Sequence, residues 1–258
     1  MVYQLTAVDK LQQEHSMVQA DLVEIYIKTC QAGNSVGNTR AREYLLHGAE
    51  RRVRLLRGCL SNVFKQFPPD ATKPITSEAL EEVQISLHAF VMNLYGFFEN
   101  LAWAYVFRHD LVKVIGDRRK IGMFLRSTQE HLPKVLSDYL TSTTIVAWHN
   151  DYLKNYRDSL AHRIPLYIPP SELTQDEAQR INALEKEKFE CLNKSQLDRF
   201  DEIRTEQASL GTASTVFLHS FEDEEASKPV QLHPQMLCDA MTVAEFGSLY
   251  FMHWHERV

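Results

Sequence analysis

Past the middle of the chain lies Tyr156-Arg157-Asp158-Ser159-Leu160-Ala161-His162-Arg163. The segment joins a guanidinium that can clamp a phosphate, a carboxylate, and an imidazole that titrates near neutral pH. Groups of these types suit phosphoryl transfer. Arg157 would steady the charge that grows on phosphoryl oxygens, and His162 would move a proton as general acid or base. Spacing then sets the geometry. At about 100° per residue, Arg157 and His162 stand roughly 140° apart on a regular helix and share no narrow face. Asp158 and His162, four apart, do share a face. This predicts that Asp158 accepts a hydrogen bond from one ring nitrogen and orients the other for chemistry. Two routes can bring Arg157 and His162 together. The helix can distort where Ile164-Pro165 forces its exit, or two copies can join their faces across a two-fold axis. Without either, His162 and Arg163 are a basic cluster meeting the negative end of a helix dipole.

Other chemistry-bearing groups point less clearly to a site. Glu99 and Asn100 lie in an apolar run, either as a buried polar pair that fixes helix register or as part of a substrate-binding site. Arg51, Arg52, Arg54 and Arg57 read as a solvated helix face, and Arg118-Arg119-Lys120 as a mobile basic loop. The spacing of His253-Trp254-His255 points the two imidazoles apart on a helix, so it reads as terminal packing. Cys30, Cys59, Cys191 and Cys238 form no Cys-x-x-Cys pair and read as reduced thiols. Neither a phosphate-binding glycine loop nor a Gly-x-Ser-x-Gly elbow occurs. No metal and no cofactor are expected.

The elements that must position these groups are helical. Nine glycines and nine prolines in 258 residues are too few breakers for many short strands. Asp9 to Ala32 predicts a first helix ended by Gly33-Asn34. A second runs from a Thr39 cap to about Phe67 and is stopped by Pro68-Pro69. A third, from Pro74–Ser77 to Asp110, carries the densest apolar pattern, from Val83 to Ala102, and reads as the core helix. A fourth covers 133–140. A fifth starts at Ser142 or Thr143 and carries Trp148, Tyr152 and Tyr156 to His162. The prolines from Pro165 to Pro170 keep the next stretch extended. Beyond it come a charged helix from Ser171 or Thr174 to about Gln207, a small hairpin from strands near 215–219 and 229–232 with the acidic run Glu222–Glu225 at its turn, and a last helix from Pro234. The expected fold class is therefore mainly α: a helical bundle with a C-terminal helical extension and a small β-hairpin.

Net charge is −6, which argues against a nucleic-acid coating protein, whose affinity depends on neutralising phosphates, but leaves room for an enzyme with a local basic cleft. The most apolar stretch, 89–107, contains Asn93, Glu99 and Asn100 and reads as a buried helix rather than a membrane span. Reduced cysteines and an N-terminus lacking a basic region followed by an apolar run point to the cytoplasm, with no membrane partner.

Arg157, Asp158 and His162, late in a helical body, resemble the Arg-x4-6-His motif of the HEPN superfamily. Leu94-Tyr95-Gly96-Phe97-Phe98-Glu99-Asn100-Leu101-Ala102-Trp103 is similar to an acidic-Asn-Leu-Ala-Trp segment in a bacterial branch of those domains. Trp148 and the run from His162 to Pro170 are similar to the same branch. The resemblance covers about 39–170. It places an N-terminal helix and loop at 1–38, a HEPN-like bundle at 39–170 and a C-terminal extension at 171–258. It implies a homodimeric, metal-independent endoribonuclease that cleaves RNA by 2′-hydroxyl attack, in a defence or stress setting. Arg157, Asp158 and His162 would be catalytic, and Glu99, Asn100 and Arg163 would contact substrate. The alternative is a non-catalytic HEPN-like scaffold that binds a nucleotide, RNA or a protein. No nucleotidyltransferase domain accompanies the motif, so an antitoxin or other regulatory partner would be a separate chain.

Overall fold

A computed structural model describes residues 2–219 and 228–256. Helix α1 spans Leu5–Ser35 and runs through the expected stop at Gly33. This glycine makes a close approach rather than a helix end: a Cβ there would lie 2.6 Å from Leu46 Cδ2. Asn38, not Thr39, opens the next helix, accepting hydrogen bonds from the Arg40 and Ala41 N–H groups. That helix is continuous through α2 (Thr39–Glu43), a π-helical segment (Tyr44–Ala49) and α3 (Glu50–Gln66). Helix α4 (Ser77–Arg108) is capped by Thr76, whose hydroxyl accepts from Ala79 N–H. Its Leu87, Phe90, Leu94, Phe97, Phe98 and Leu101 are buried, and its most extensive packing is against α3.

Four short turns of helix, α5 (Val112–Ile115), a 3-10 turn (Arg118–Lys120), α6 (Arg126–Gln129) and α7 (Lys134–Leu140), lead to the motif-bearing helix. This begins with α8 (Thr143–Ala147), widens into a second π-helical segment (Trp148–Leu153) and ends as α9 (Lys154–His162). The extended exit is held against α4, where Gln84 Nε2 donates to Leu166 O at 2.9 Å and His88 Nε2 lies 2.9 Å from the same oxygen. Tyr167 also bridges backbone to Leu218.

The charged stretch that follows is two helices, not one. A reciprocal capping box between Thr174 and Glu177 starts α10 (Gln175–Asn193), and the chain reverses at Ser195, which has φ 55°, before α11 (Leu197–Ser209). Ionic side chains dominate both, but Leu184, Cys191 and Ile203 form a small core of their own. Strands β1 (Val216–His219) and β2 (Lys228–Gln231) pair antiparallel, with Phe217 opposite Val230. The acidic run expected at their turn lies outside the described residues. Phe217 is buried and meets the Tyr156 ring edge-on at 5.6 Å, which ties the hairpin to α9.

Helix α12 (Leu232–Met252) packs along α1. The segments outside 39–170 therefore contribute α1 and α12 to the same hydrophobic core as α3 and α4. Asp239 on α12 is fully buried and accepts from Trp148 Nε1 at 2.9 Å, Tyr152 OH at 2.7 Å and Gln235 Nε2 at 2.9 Å. Trp148 and Tyr152 are both in the second π-helical segment, so one satisfied carboxylate pins that segment to α12. Burial still pushes the Asp239 pKa up to about 6, against the effect of its three donors. The fold is mainly α with a two-stranded sheet, and among the described residues no helix is long and apolar enough to cross a membrane.

Leu94 has no exposed surface at the centre of α4. Leu94→Ala should destabilise the protein by about 2–5 kcal/mol, the range for buried leucines that leave a cavity. Urea denaturation checks this, and an unchanged midpoint would place the core elsewhere.

Candidate active site

Helix α9 delivers Arg157 toward α4. Its guanidinium lies over the Tyr95 ring, 4.3 Å from the centroid, and Nη1 pairs with Asp158 Oδ1 at 2.8 Å. Both side chains are about three-tenths exposed. A cation on an aromatic face, paired with a neighbouring carboxylate and partly withdrawn from water, is held more firmly than an exposed arginine. Arg157 Nε is buried with no hydrogen-bond partner among the described residues.

Glu99 lies one helical turn beyond Tyr95 on α4. Its carboxylate faces Gly122, where a Cβ would come within 3.1 Å of Oε1. Burial raises its pKa to about 7, although the Met123 N–H and the Arg157 charge both favour the ionised form. Tyr95 is likewise raised, first by burial and then by the Glu99 charge, with Arg157 opposing. Tyr95, Glu99, Arg157 and Asp158 thus form one electrostatic cluster.

His149, from the second π-helical segment, joins this cluster. It stacks on Phe124 at 3.9 Å and lies 6.2 Å from the Tyr95 ring. Its Nδ1 donates to Asn150 Oδ1 at 2.9 Å, and its Nε2 is buried without a partner among the described residues. Burial lowers its pKa, aided by the charges of Lys154 and Arg157 and opposed by the Asn150 hydrogen bond. Sequence spacing did not single out His149. The available signal was its place beside Trp148 in the motif helix, but the extra residue of a π turn changes which face a side chain takes.

The other expected site residues are placed elsewhere. Adjacent helix residues diverge by about 100°, so the Glu99-Asn100 pair is divided: Asn100 Oδ1 turns to α3 and accepts from Arg52 Nε at 2.8 Å. His162 is exposed at the last position of α9, and its imidazole makes no hydrogen bond or ion pair among the described residues. The expected Asp158–His162 hydrogen bond is therefore not formed. Asp158 is taken instead by the neighbouring guanidinium, a charge-assisted partner that an exposed imidazole does not displace. Arg163 is exposed and extended (φ −133°, ψ −157°), with its N–H bonded to Ser159 O. Helix α9 stays α-helical through His162, and the distortion in this helix comes before Arg157 rather than at the proline exit. The separation of roughly 140° between Arg157 and His162 is thus retained within one chain.

No family model matches the chain, and neither a curated protein nor a solved structure matches it. Among the described residues, no group of three His, Cys, Asp or Glu side chains is placed to hold a metal ion.

The raised Glu99 pKa has a measurable consequence. A carboxyl whose folded pKa exceeds its ordinary value stabilises the fold most below the ordinary value, 4.5, and loses that contribution as pH rises through about 7. Glu99→Gln resembles the protonated acid and lacks this dependence. Wild type should therefore lose stability relative to Glu99→Gln across that window in urea melts at several pH values. Parallel stability curves would mean that Glu99 is not held in this environment.

Proposed function

We propose that the chain is a metal-independent endoribonuclease of HEPN type that works as a homodimer. The observation that carries this reading is one regular helix presenting a fixed, partly buried Arg157 and an exposed His162 on different faces. A second copy related by a two-fold axis supplies each Arg157 with the partner subunit's His162.

The chemistry follows from these groups. Arg157, steadied by Asp158 and Tyr95, contacts the non-bridging oxygens of an RNA phosphate and offsets the charge that develops there. The preceding ribose 2′-hydroxyl attacks phosphorus. The 2′-oxygen–phosphorus bond forms, the bond to the 5′-oxygen breaks, and the product is a 2′,3′-cyclic phosphate. An imidazole accepts the 2′-hydroxyl proton or returns one to the leaving 5′-oxygen. Glu99, whose carboxyl feels the Arg157 charge, is a positioning residue, and Arg163, one residue past His162, adds a phosphate contact. DNA lacks the attacking hydroxyl and is spared.

One observation favours a second reading, a scaffold that binds without cutting: the Arg157 guanidinium is already engaged by Asp158 and Tyr95. Cleavage assays on mixed RNA with a chelator present separate the two. Wild type should cut RNA and leave cyclic phosphate or its hydrolysis product. His162→Ala should lose about 10²–10⁴-fold in rate, and Arg157→Ala should be similarly impaired while remaining folded. No cutting by wild type supports the scaffold, and equal cutting by all three proteins removes Arg157 and His162 from the chemistry.

A further inference from the structure

Roughly 130° round α4 from Tyr95 and Glu99, a second arginine is held in place. Arg52 of α3 donates from Nε to Asn100 Oδ1 at 2.8 Å and from Nη1 to Asn93 Oδ1 at 3.1 Å. Both acceptors are neutral amides, and no carboxylate pairs with Arg52 among the described residues. Two of its five N–H donors are used in these bonds. Burial holds its pKa below the ordinary value, as expected for a cation withdrawn from water without a counter-ion.

Two glycines make room for this arrangement. A Cβ on Gly96 would collide with the Arg52 guanidinium, and one on Gly48 would lie 2.8 Å from Asn100 Cγ. Gly48 belongs to the first π-helical segment, which also brings Tyr44 and His47 to the same groove. The groove measures about 490 Å³ and is further lined by Arg40, Arg51, Glu43 and Leu55. Glu43, the one carboxylate among these, is paired with Arg40, so Arg51 and Arg52 leave the groove positively charged in a chain of net charge −6. Tyr44 forms one wall, stacked on Trp103 and on Phe107 at 5.6 Å each, and Leu55 is half exposed at the rim.

We propose that this groove is a second ligand site, which takes the phosphate group of a small phosphate monoester against Arg52 and Arg51 and lays its organic body along Tyr44 and Leu55. A planar guanidinium held by two amides, with donors still open, matches phosphate oxygens in geometry and charge. The volume lies in the range of small-molecule sites and exceeds what a bare phosphate would fill. The proposal does not rest on the ribonuclease reading, because it shares none of the residues that hold Arg157.

Calorimetric titration of the full chain with phenyl phosphate, inorganic phosphate and phenol tests it. Phenyl phosphate should bind and phenol should not. Arg52→Gln should weaken binding by about 10- to 100-fold, the value of hydrogen bonds to a charged group. Two substitutions at exposed positions guard against a folding defect in that variant. Arg51→Gln should weaken binding severalfold, and Leu55→Glu should abolish it by setting a carboxylate at the rim. Arg157→Ala should leave binding unchanged. Tighter binding of phenyl phosphate than of phosphate supports the monoester, and equal binding assigns the same site to free phosphate. The proposal is overturned if neither phosphate compound binds wild type, if Arg51→Gln and Leu55→Glu both bind as tightly as wild type, or if Arg157→Ala removes binding.

Discussion

Helix α4 has to bury apolar side chains round most of its circumference and still present polar groups to two partly buried guanidiniums. This constraint organises the rest of the protein. Leu94, Phe97, Phe98 and Leu101 are buried in the common core, while Tyr95 and Glu99 turn toward Arg157 and Asn93 and Asn100 turn toward Arg52. A buried cation costs free energy unless hydrogen bonds, aromatic faces or opposite charges replace its water. The two arginines meet that cost differently. Arg157 has a carboxylate and a ring, so it is largely compensated within the chain. Arg52 has only amide dipoles, so its compensation is incomplete.

Both sites also depend on π-helical segments placed where the chain meets α4. In Tyr44–Ala49 the widened turn sets Gly48 against Asn100, and in Trp148–Leu153 it brings His149 into contact with Phe124. Such a segment carries a poorer hydrogen-bond pattern than the α-helix around it and persists where surrounding packing supports it. The Asp239 carboxylate supplies that support for the second segment through Trp148 and Tyr152. The C-terminal helix thereby helps set the position of the motif helix, far away in sequence.

This division explains what was legible in the sequence. The helices carrying the densest apolar repeats could be placed, because burial of one stripe is a local pattern. The core role of α4 followed from Val83 to Ala102, and the hairpin from two β-rich stretches between turn formers. What could not be read were relations set by packing. Gly33 is a helix stop by composition but a contact with Leu46 in the fold. Arg52 belongs to a run of arginines that looks uniformly solvated, yet it is the member aimed at Asn93 and Asn100. The charged stretch after Thr174 reads as one helix because its break at Ser195 lacks a glycine or proline. Asp158 shares a helix face with His162, but an adjacent arginine is a stronger partner than an exposed imidazole.

Because α9 keeps Arg157 and His162 on different faces, the two act either within one chain or between two. Mixed dimers decide this. Arg157→Ala and His162→Ala chains, each inactive alone, are co-refolded in equal amounts and assayed on RNA. If each Arg157 works with the partner subunit's His162, a mixed dimer keeps one intact pair of two. Half of the dimers are mixed, so activity should return to about a quarter of the wild-type level. A mixture as inactive as its components would contradict a site shared between subunits.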